Sequence, residues 1–435
     1  MRTNNRRNFI FGAAGLAVCS SAGALARYLW SENEFEASSP PPIGWEQYSG
    51  TVFGNEPLIP DLISPDVRLI QFPEFDGAFA IWGASGRDRD GNIWLAPASH
   101  FVETQSGRVF VYDPATDKVT SRGDVLSELR KSGLYRPGEQ QPKIHTKFYQ
   151  GEDGCLYFAS SDDPAAGQST SDRPKWGSHL WRIRDGRWEH IHSLTEGITA
   201  LAGNGKFMYF LGYPDHLLIQ YDCRTGTIQT VAVGSVEGHI SRNLLCDYRG
   251  HAYVPRLKMV AANHAEHTLV EFDTNLNEVT QHPLPHYQFG AASECHGILA
   301  HQPLADGSIV FTTHAGRLFK LDPTRGRSKL LDLGWFHPGG RSYSSGLFTF
   351  SGERYLVGAA QIENRWSWVC YDMETARSRE LPFDLPSPPG ISSADAFLYG
   401  CTTKDNTGDF YMVGAFRNEK GKRVPIALRI RVLDK

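Results

Sequence analysis

A short motif recurs seven times along the 435-residue chain, and this repeat constrains the fold more than any other feature. Each copy is a polar turn that ends in glycine and leads into an apolar, aromatic strand, as in Asp90–Trp94 and Asp153–Tyr157. Periods of this length are typical of repeat architectures. The seven glycines, spaced 45 to 63 residues apart, are Gly91, Gly154, Gly205, Gly250, Gly307, Gly352 and Gly408.

Each repeat has room for about four strands. A second strand ends near an acidic turn, as in Val109–Asp113 and Leu218–Asp222, and a further short strand follows, as in Thr227–Val231. One four-stranded sheet cannot bury both of its faces, whereas seven sheets arranged radially bury each face on a neighbour. We therefore predict an all-β fold: a seven-bladed β-propeller with four-stranded blades.

The seventh repeat is short of one strand. Its third strand, Ala427–Val432, lies just before Lys435, and we predict that Asp66–Phe72 supplies the missing outer strand and closes the ring. The expected organisation is a signal peptide at 1–26, an N-terminal extension at 27–65 and the propeller at 66–435.

The N-terminus predicts export. Asn5–Ile10 resembles a twin-arginine signal, a weakly apolar run follows, and the small residues of Ala24–Ala26 predict cleavage after Ala26. We expect a periplasmic or secreted protein with no stable membrane anchor after cleavage. The alternatives are an uncleaved anchor helix and a lipidated Cys19.

Charge and motifs exclude several functions. The net charge is −4, and loss of residues 1–26 removes three arginines and no acid, which takes it to −7. A negative chain disfavours nucleic-acid binding. The remaining six cysteines include no CxxC pair, which argues against a disulfide-stapled scaffold. GxSxG, HExxH, Walker and dinucleotide motifs do not occur.

The propeller geometry predicts one working face. The loops from each outer strand to the next inner strand lie on it, together with the loops from second to third strands, whereas the glycine turns lie opposite. Irregular inserts such as Ser160–Ser178 and Leu257–His267 mark this face.

Polar residues open the inner strands or lie in the loops of that face. They form a set suited to proton transfer beside a bound carboxylate. Each also has a structural interpretation, as part of a channel hydrogen-bond network, a brace between blades or turn packing. They are His145, Tyr213, His239, Arg242, His296, Arg341 and Tyr343.

A metal site is a further candidate. His264 and His267 have suitable chemistry to bind a zinc-like ion with His239, Cys295 or His296. The alternative is that they are solvated loop histidines.

Lys143–His145 with Asp153–Phe158, Gly212–Pro214, and Ser241–Arg242 with Asp247–Gly250 resemble the seven-bladed propeller polysaccharide lyases. That group includes the ulvan lyases and the rhamnose-glucuronate lyases. The resemblance implies β-elimination at a uronic acid of an anionic polysaccharide. Its implied catalytic residues are His145, Tyr213 and Arg242.

The resemblance also implies roles. Arg242 would neutralise the uronate carboxylate and so acidify the C5 proton, which His145 or Tyr213 would remove, and Tyr213 would protonate the departing oxygen. Where the family often has a second histidine after the second blade's strand, this chain has Ser160 and Ser161.

Other expectations complete this hypothesis. Sugar-binding candidates are His239, Trp176, Arg341 and Tyr343, and Trp82 is a further aromatic near the face. Some relatives carry a structural zinc, which implies His264 and Cys295 as ligands, while the chemistry itself needs no cofactor. We expect a monomer.

Two other functions compete with the lyase. A non-catalytic propeller that binds glycan or protein would lack a tight cluster of histidine, arginine and tyrosine. A gluconolactonase-like hydrolase would need acidic metal ligands at the channel mouth. Because the chain is negative, a lyase for a polyanion needs a local basic groove.

Overall fold

The computed structural model describes residues 64–162, 172–261, 264–288, 296–323, 326–350 and 352–432. The expected signal peptide, its cleavage site, Cys19 and all but the last two residues of the extension lie outside the described residues. Within the described ranges, no helix has the length and apolar character needed to cross a membrane.

The strands group into seven antiparallel sheets, or blades. The first strand of the chain is β1 (Asp66–Ile70). Blade one contains β2 (Ser85–Arg87), β3 (Ile93–Leu95), β4 (Arg108–Asp113) and β5 (Lys118–Asp124), followed by the helix α1 (Val125–Lys131). Blade two contains β6 (Lys143–Ile144), β7 (Tyr149–Gln150), β8 (Leu156–Ser161), β9 (Ser178–Arg184) and β10 (Arg187–Leu194). Blade three contains β11 (Gly197–Gly203), β12 (Phe207–Tyr213), β13 (Leu217–Asp222) and β14 (Ile228–Ala232). Blade four contains β15 (Leu245–Cys246), β16 (Ala252–Ala261), β17 (His264–Phe272) and β18 (Glu278–Pro283).

The remaining blades repeat this order. Blade five contains β19 (Ile298–Pro303), β20 (Ile309–Thr313), β21 (Arg317–Asp322) and β22 (Lys329–Trp335). Blade six contains β23 (Tyr343–Ser344), β24 (Phe348–Phe350), β25 (Tyr355–Ile362), β26 (Arg365–Asp372) and β27 (Arg377–Pro382). Blade seven contains β28 (Ile391–Lys404), β29 (Phe410–Asn418) and β30 (Arg423–Arg431), with β1 as its outer strand.

The predicted fold class is confirmed: an all-β, seven-bladed propeller with blades of four-strand width. In blades two and six the inner strand is broken into two short pieces, β6 with β7 and β23 with β24. Aromatic side chains fill the spaces between blades, and Trp181 and Trp368 are almost completely buried. Such burial of each sheet on its neighbours is what stabilises a propeller.

The glycine turns have the backbone that their sequence predicts. All seven repeat glycines have positive φ angles, from 65° at Gly352 to 93° at Gly205 and Gly408. This region is unfavourable for residues with a Cβ atom, which explains the glycine. An aspartate braces several turns: Asp405, for example, accepts hydrogen bonds from the amides of Thr407 and Asp409.

The N-terminal strand closes the ring, as predicted. β1 runs antiparallel to β30, with Asp66 opposite Arg431 and Ile70 opposite Ala427. Val67 and Leu69 pack against the core shared by blades six and seven. Ile70 is buried in the core of the first blades. β1 therefore contributes to two interblade cores.

Removal of β1 should destabilise the propeller. A chain that begins at residue 71 should lose about 4 kcal/mol relative to one that begins at residue 64, because three aliphatic side chains lose burial worth roughly 1.5–3 kcal/mol each when complete. Urea denaturation followed by tryptophan fluorescence would measure this. Equal midpoints for the two chains would contradict the role of β1.

The fourth blade departs from prediction. We expected Leu257–His267 to be an irregular insert, but β16 and β17 extend through it as one ladder that reaches the pair Ala261 and His264. Met259 and Val260 near its tip are half exposed. Apolar residues in this stretch favour extended pairing over an irregular loop.

Candidate functional site

Five polar side chains gather where the inner strands begin or the second strands end, at the working-face mouth of the central channel. His145 lies in the break between β6 and β7, Arg242 lies three residues before β15, and His296 lies two residues before β19. Irregular backbone at such points redirects side chains away from the regular pleat. We call this set the mouth cluster; its members are His145, Arg242, His296, His314 and Tyr343.

Arg242 has unused hydrogen-bonding capacity. Its Nη2 donates to Nε2 of His296 at 3.2 Å, and its guanidinium lies 4.6 Å from the centre of the Tyr399 ring. Its Nε and Nη1 atoms are buried and have no hydrogen-bond partner among the described residues. Buried polar groups are normally paired, so a buried guanidinium with two unpaired nitrogens indicates a site for an anion.

His296 connects Arg242 to Tyr343. An arginine N–H can only donate, so Nε2 of His296 accepts, and in a neutral imidazole Nδ1 carries the hydrogen. Nδ1 then donates to the Tyr343 hydroxyl at 3.2 Å, which leaves the hydroxyl hydrogen for another acceptor. Burial, followed by Arg242, His314 and His145, holds the pKa of His296 well below its usual value and keeps the ring neutral.

His145 presents a ring nitrogen with a free lone pair. Its Nδ1 lies 2.8 Å from the carbonyl oxygen of Thr199, which can only accept, so Nδ1 carries the hydrogen and Nε2 has the lone pair. The hydroxyl of Thr199 donates to the carbonyl of Ser241, the neighbour of Arg242. Burial, then the charges of Arg242 and Lys143, lower the pKa of His145 well below its usual value.

The rim of the mouth is aromatic and basic. Trp82 packs 4.9 Å from Tyr399, and its indole N–H is buried without a partner in the described chain. Arg423 lies 5.8 Å and Lys143 6.0 Å from the centre of the Trp82 ring. A local positive field therefore exists on a chain whose net charge is −4.

A hydrogen bond spans the channel. The Tyr149 hydroxyl lies 3.3 Å from Nε2 of His301, which joins the inner strands of blades two and five. Burial, then Lys147, lowers the pKa of His301 to about 3.

Two predicted site residues have mainly structural surroundings. Tyr213 ends β12 opposite Gly197, and its ring covers that glycine so closely that a Cβ there would meet it at 2.3 Å. The imidazole of His239 contacts Ser235 Oγ at 2.7 Å and Tyr287 Oη at 3.0 Å. It also stacks on His216 at 4.9 Å.

Other predicted residues lie elsewhere or cannot be placed. Trp176 packs against Arg136 and Lys175, and Arg341 is exposed on its loop. Cys295 lies outside the described residues, as does the side chain of His264, so the zinc site stays a prediction.

Sequence reasoning missed two residues of the mouth. His314 stacks on His296 at 5.0 Å, and Tyr399 lies beneath Arg242. A signal for His314 existed, since it follows β20 on the working face, as Tyr213 ends β12 on the same face. For Tyr399, which lies inside the long strand β28, the sequence offers no comparable signal.

One other cluster has metal-binding residue types. Asp247, His251 and Glu271 bring one ligand atom each within 4.8 Å of the others. Arg249 already donates to Asp247 and to Glu271 there, at 2.8 and 2.9 Å. The guanidinium supplies the positive charge, so this cluster is a structural ion-pair network.

Comparisons with known proteins bear on the fold. No protein-family model and no curated protein matches the chain. Among solved structures, the WD40 repeats of RRP9 match over 86% of this chain and 100% of theirs, with 11% identity and a TM-score of 0.52. The β-propeller domain of Cps50 (Swd1) from Myceliophteria thermophila matches over 83% and 99%, with 11% identity and a TM-score of 0.48. A Dyadobacter fermentans protein of unknown function matches over 86% and 100%, with 12% identity and a TM-score of 0.47. At such identities the RRP9 likeness extends to architecture alone, and it identifies the chain as a β-propeller.

Proposed function

We propose that this propeller is a lyase that cleaves a uronate-containing anionic polysaccharide by β-elimination at the mouth cluster. The observation that carries the proposal is the buried guanidinium of Arg242, whose Nε and Nη1 lack partners in the described chain while neutral His145 and His296 stand beside it. The fold by itself supports no activity.

Arg242 would bind the carboxylate of the uronate. Either unpaired nitrogen, Nε or Nη1, can join the second hydrogen of Nη2 to match the two oxygens of a carboxylate in a bidentate pair. Neutralising that charge stabilises the enolate-like intermediate that forms when the C5 proton leaves, because the developing negative charge lies on the same group.

His145 would act as the base. Its Nε2 lone pair is available because the Thr199 carbonyl holds the hydrogen on Nδ1. Burial, and after it the positive charge of Arg242, lower the pKa of His145 in the free protein. A carboxylate bound to Arg242 would cancel the contribution of Arg242, so the basicity of His145 would rise when substrate is present.

Tyr343 would protonate the departing oxygen. Its hydroxyl oxygen accepts from His296, so its hydrogen is free to donate toward the mouth. This assignment differs from the family-based expectation, which gave the role to Tyr213. Tyr343 belongs to the cluster of Arg242 and His296, whereas Tyr213 packs on Gly197.

The rim would bind the polymer. Trp82 offers a ring for stacking on a sugar, and Lys143 and Arg423 near that ring offer positive charge to an anionic chain. They would supply the local positive charge that the negative net charge makes necessary. Together with the export signal expected at Asn5–Ile10, they favour a substrate met outside the cytoplasm.

Turnover on uronate polymers tests the proposal. Purified protein would be incubated with ulvan, glycosaminoglycans and pectin, and the unsaturated uronate product followed by ultraviolet absorbance. Appearance of that chromophore supports the lyase. Binding to a polymer without any chromophore would instead indicate a non-catalytic glycan-binding propeller. If no polymer gave the chromophore and none bound, the proposal would be wrong.

Replacement of the acid should slow turnover specifically. We expect Tyr343→Phe to lower kcat roughly 10²-fold with little change in KM, because it removes only the proton donor. The matched control is Tyr248→Phe, an exposed tyrosine on the opposite face. Equal losses in both variants, or full activity of Tyr343→Phe, would contradict the assignment.

A further inference from the structure

A second cluster of histidines lies at the outer edge of blade two, on residues that the proposed function does not use. His179 projects from β9 and His190 from the neighbouring strand β10, and their Nδ1 and Nε2 atoms are 3.0 Å apart. Ser193 Oγ lies 3.1 Å from the first nitrogen and 3.3 Å from the second. Three potential ligand atoms therefore lie within 3.3 Å of one another.

The spacing of these atoms fits a tetrahedral metal ion. Two imidazole nitrogens bound to zinc at about 2.0–2.1 Å with a tetrahedral angle lie about 3.3 Å apart. The three distances, from 3.0 to 3.3 Å, agree with one face of such a tetrahedron. Solvent water would supply the fourth ligand, since Ser193 is exposed and His190 half-buried.

A buried carboxylate orients the deeper histidine. Glu139 Oε1 lies 2.9 Å from Nε2 of His179, and both side chains are almost completely buried. Arg136 donates to the same carboxylate from its backbone and its side chain. A carboxylate oxygen accepts, so Nε2 of His179 carries the hydrogen, and Nδ1 of the neutral ring directs its lone pair toward His190.

This arrangement is the carboxylate–histidine–metal pattern common in metalloproteins, where a second-shell carboxylate fixes the tautomer of the ligand. We propose that His179, His190 and Ser193 form a site for a divalent transition ion of the zinc class, which clips the outer strand of blade two to its neighbour.

The neighbouring Trp181 provides a direct readout. Its ring lies 5.1 Å from the His190 ring and 6.1 Å from the His179 ring. After treatment with chelator, the full chain would be titrated with Zn²⁺ by calorimetry and with Ni²⁺ by tryptophan fluorescence. We expect one ion per chain at this site and quenching by Ni²⁺.

Three variants locate the ion. His190→Ala should abolish this binding step, and Glu139→Gln should weaken it roughly 10–100-fold through the tautomer of His179. His192→Ala, an exposed histidine on the same strand, should titrate like the unaltered chain. Unchanged stoichiometry and affinity in His190→Ala, or equal losses in His192→Ala, would overturn the proposal.

The unaltered chain gives an independent check in case His190→Ala folds poorly. Electron paramagnetic resonance of bound Cu²⁺ should show coupling to two imidazole nitrogens. Absence of ion binding, or coupling to fewer than two such nitrogens, would mean that the two rings are joined only by a hydrogen bond and would overturn the site.

Discussion

Replacement of Arg242 by alanine should lower kcat/KM on the cleaved polymer roughly 10³-fold or more. In the proposed lyase mechanism the substitution removes the groups that would neutralise the carboxylate in the transition state, and loss of a single preorganised donor commonly costs about 10²–10³-fold. Turnover would be measured by the ultraviolet absorbance of the product. Arg242→Lys should recover only part of the loss, because an ammonium group cannot form the bidentate pair.

Two measurements separate this effect from damage to the fold. Arg224→Ala, in an exposed loop on the opposite face, should keep full activity. Arg242→Met should unfold at the same urea concentration as the unaltered chain or a higher one, because unpaired buried donors destabilise the folded state by about 1–3 kcal/mol. Loss of stability in Arg242→Met, or activity equal to that of the unaltered chain, would contradict the anion site.

Acid should unfold the propeller steeply. Burial, then Arg242, lowers the pKa of His314 to about 3, and burial lowers that of His216 to about 4. His301, His145 and His296 have lowered pKa values too. In the unfolded chain each returns to about 6.5. The unfolded state therefore binds more protons below that pH, and stability falls as the pH falls.

The expected slope is large. If only three of these histidines take up a proton on unfolding, the free energy of unfolding decreases by about 4 kcal/mol for each unit between pH 6 and pH 5. Urea denaturation at several pH values would measure it. His301→Gln cannot titrate and should reduce the slope by about 1.4 kcal/mol per unit. If the free energy of unfolding did not change from pH 7.5 to 5, the prediction would be wrong, because these rings would then be protonated in the folded state as well.

The architecture was accessible from sequence because local and global signals agree. Each repeat glycine needs a positive φ, and each following strand needs a neighbour for its apolar face, so one pattern specifies turn, strand and ring together. β1 was predictable because a three-stranded seventh repeat leaves an unpaired edge. The hairpin of β16 and β17 was not predictable in this way. The spacing of the repeats shows that this blade has extra residues, but it does not show whether those residues pair as strands.

The site was predictable only in part. His145, Arg242, His296 and Tyr343 mark positions where polar residues interrupt inner strands, and this irregularity is visible in sequence. Which of them meet depends on where the broken strands place each side chain, and that required the structure. Tyr213 shares the face of Arg242 but packs on Gly197, since a position in a repeat does not determine which way a side chain turns.

The pairing of β1 with β30 also determines when the molecule can be complete. Asp66 and Arg431 are separated by 365 residues, so the seventh blade gains its fourth strand only after nearly the whole chain has been synthesised. Closing so long a loop costs only about 3 kcal/mol more than closing one of ten residues, because the entropy grows with the logarithm of length. The burial of Val67, Leu69 and Ile70 is gained in this last step, so the ring becomes a single cooperative unit only when β1 has paired with β30.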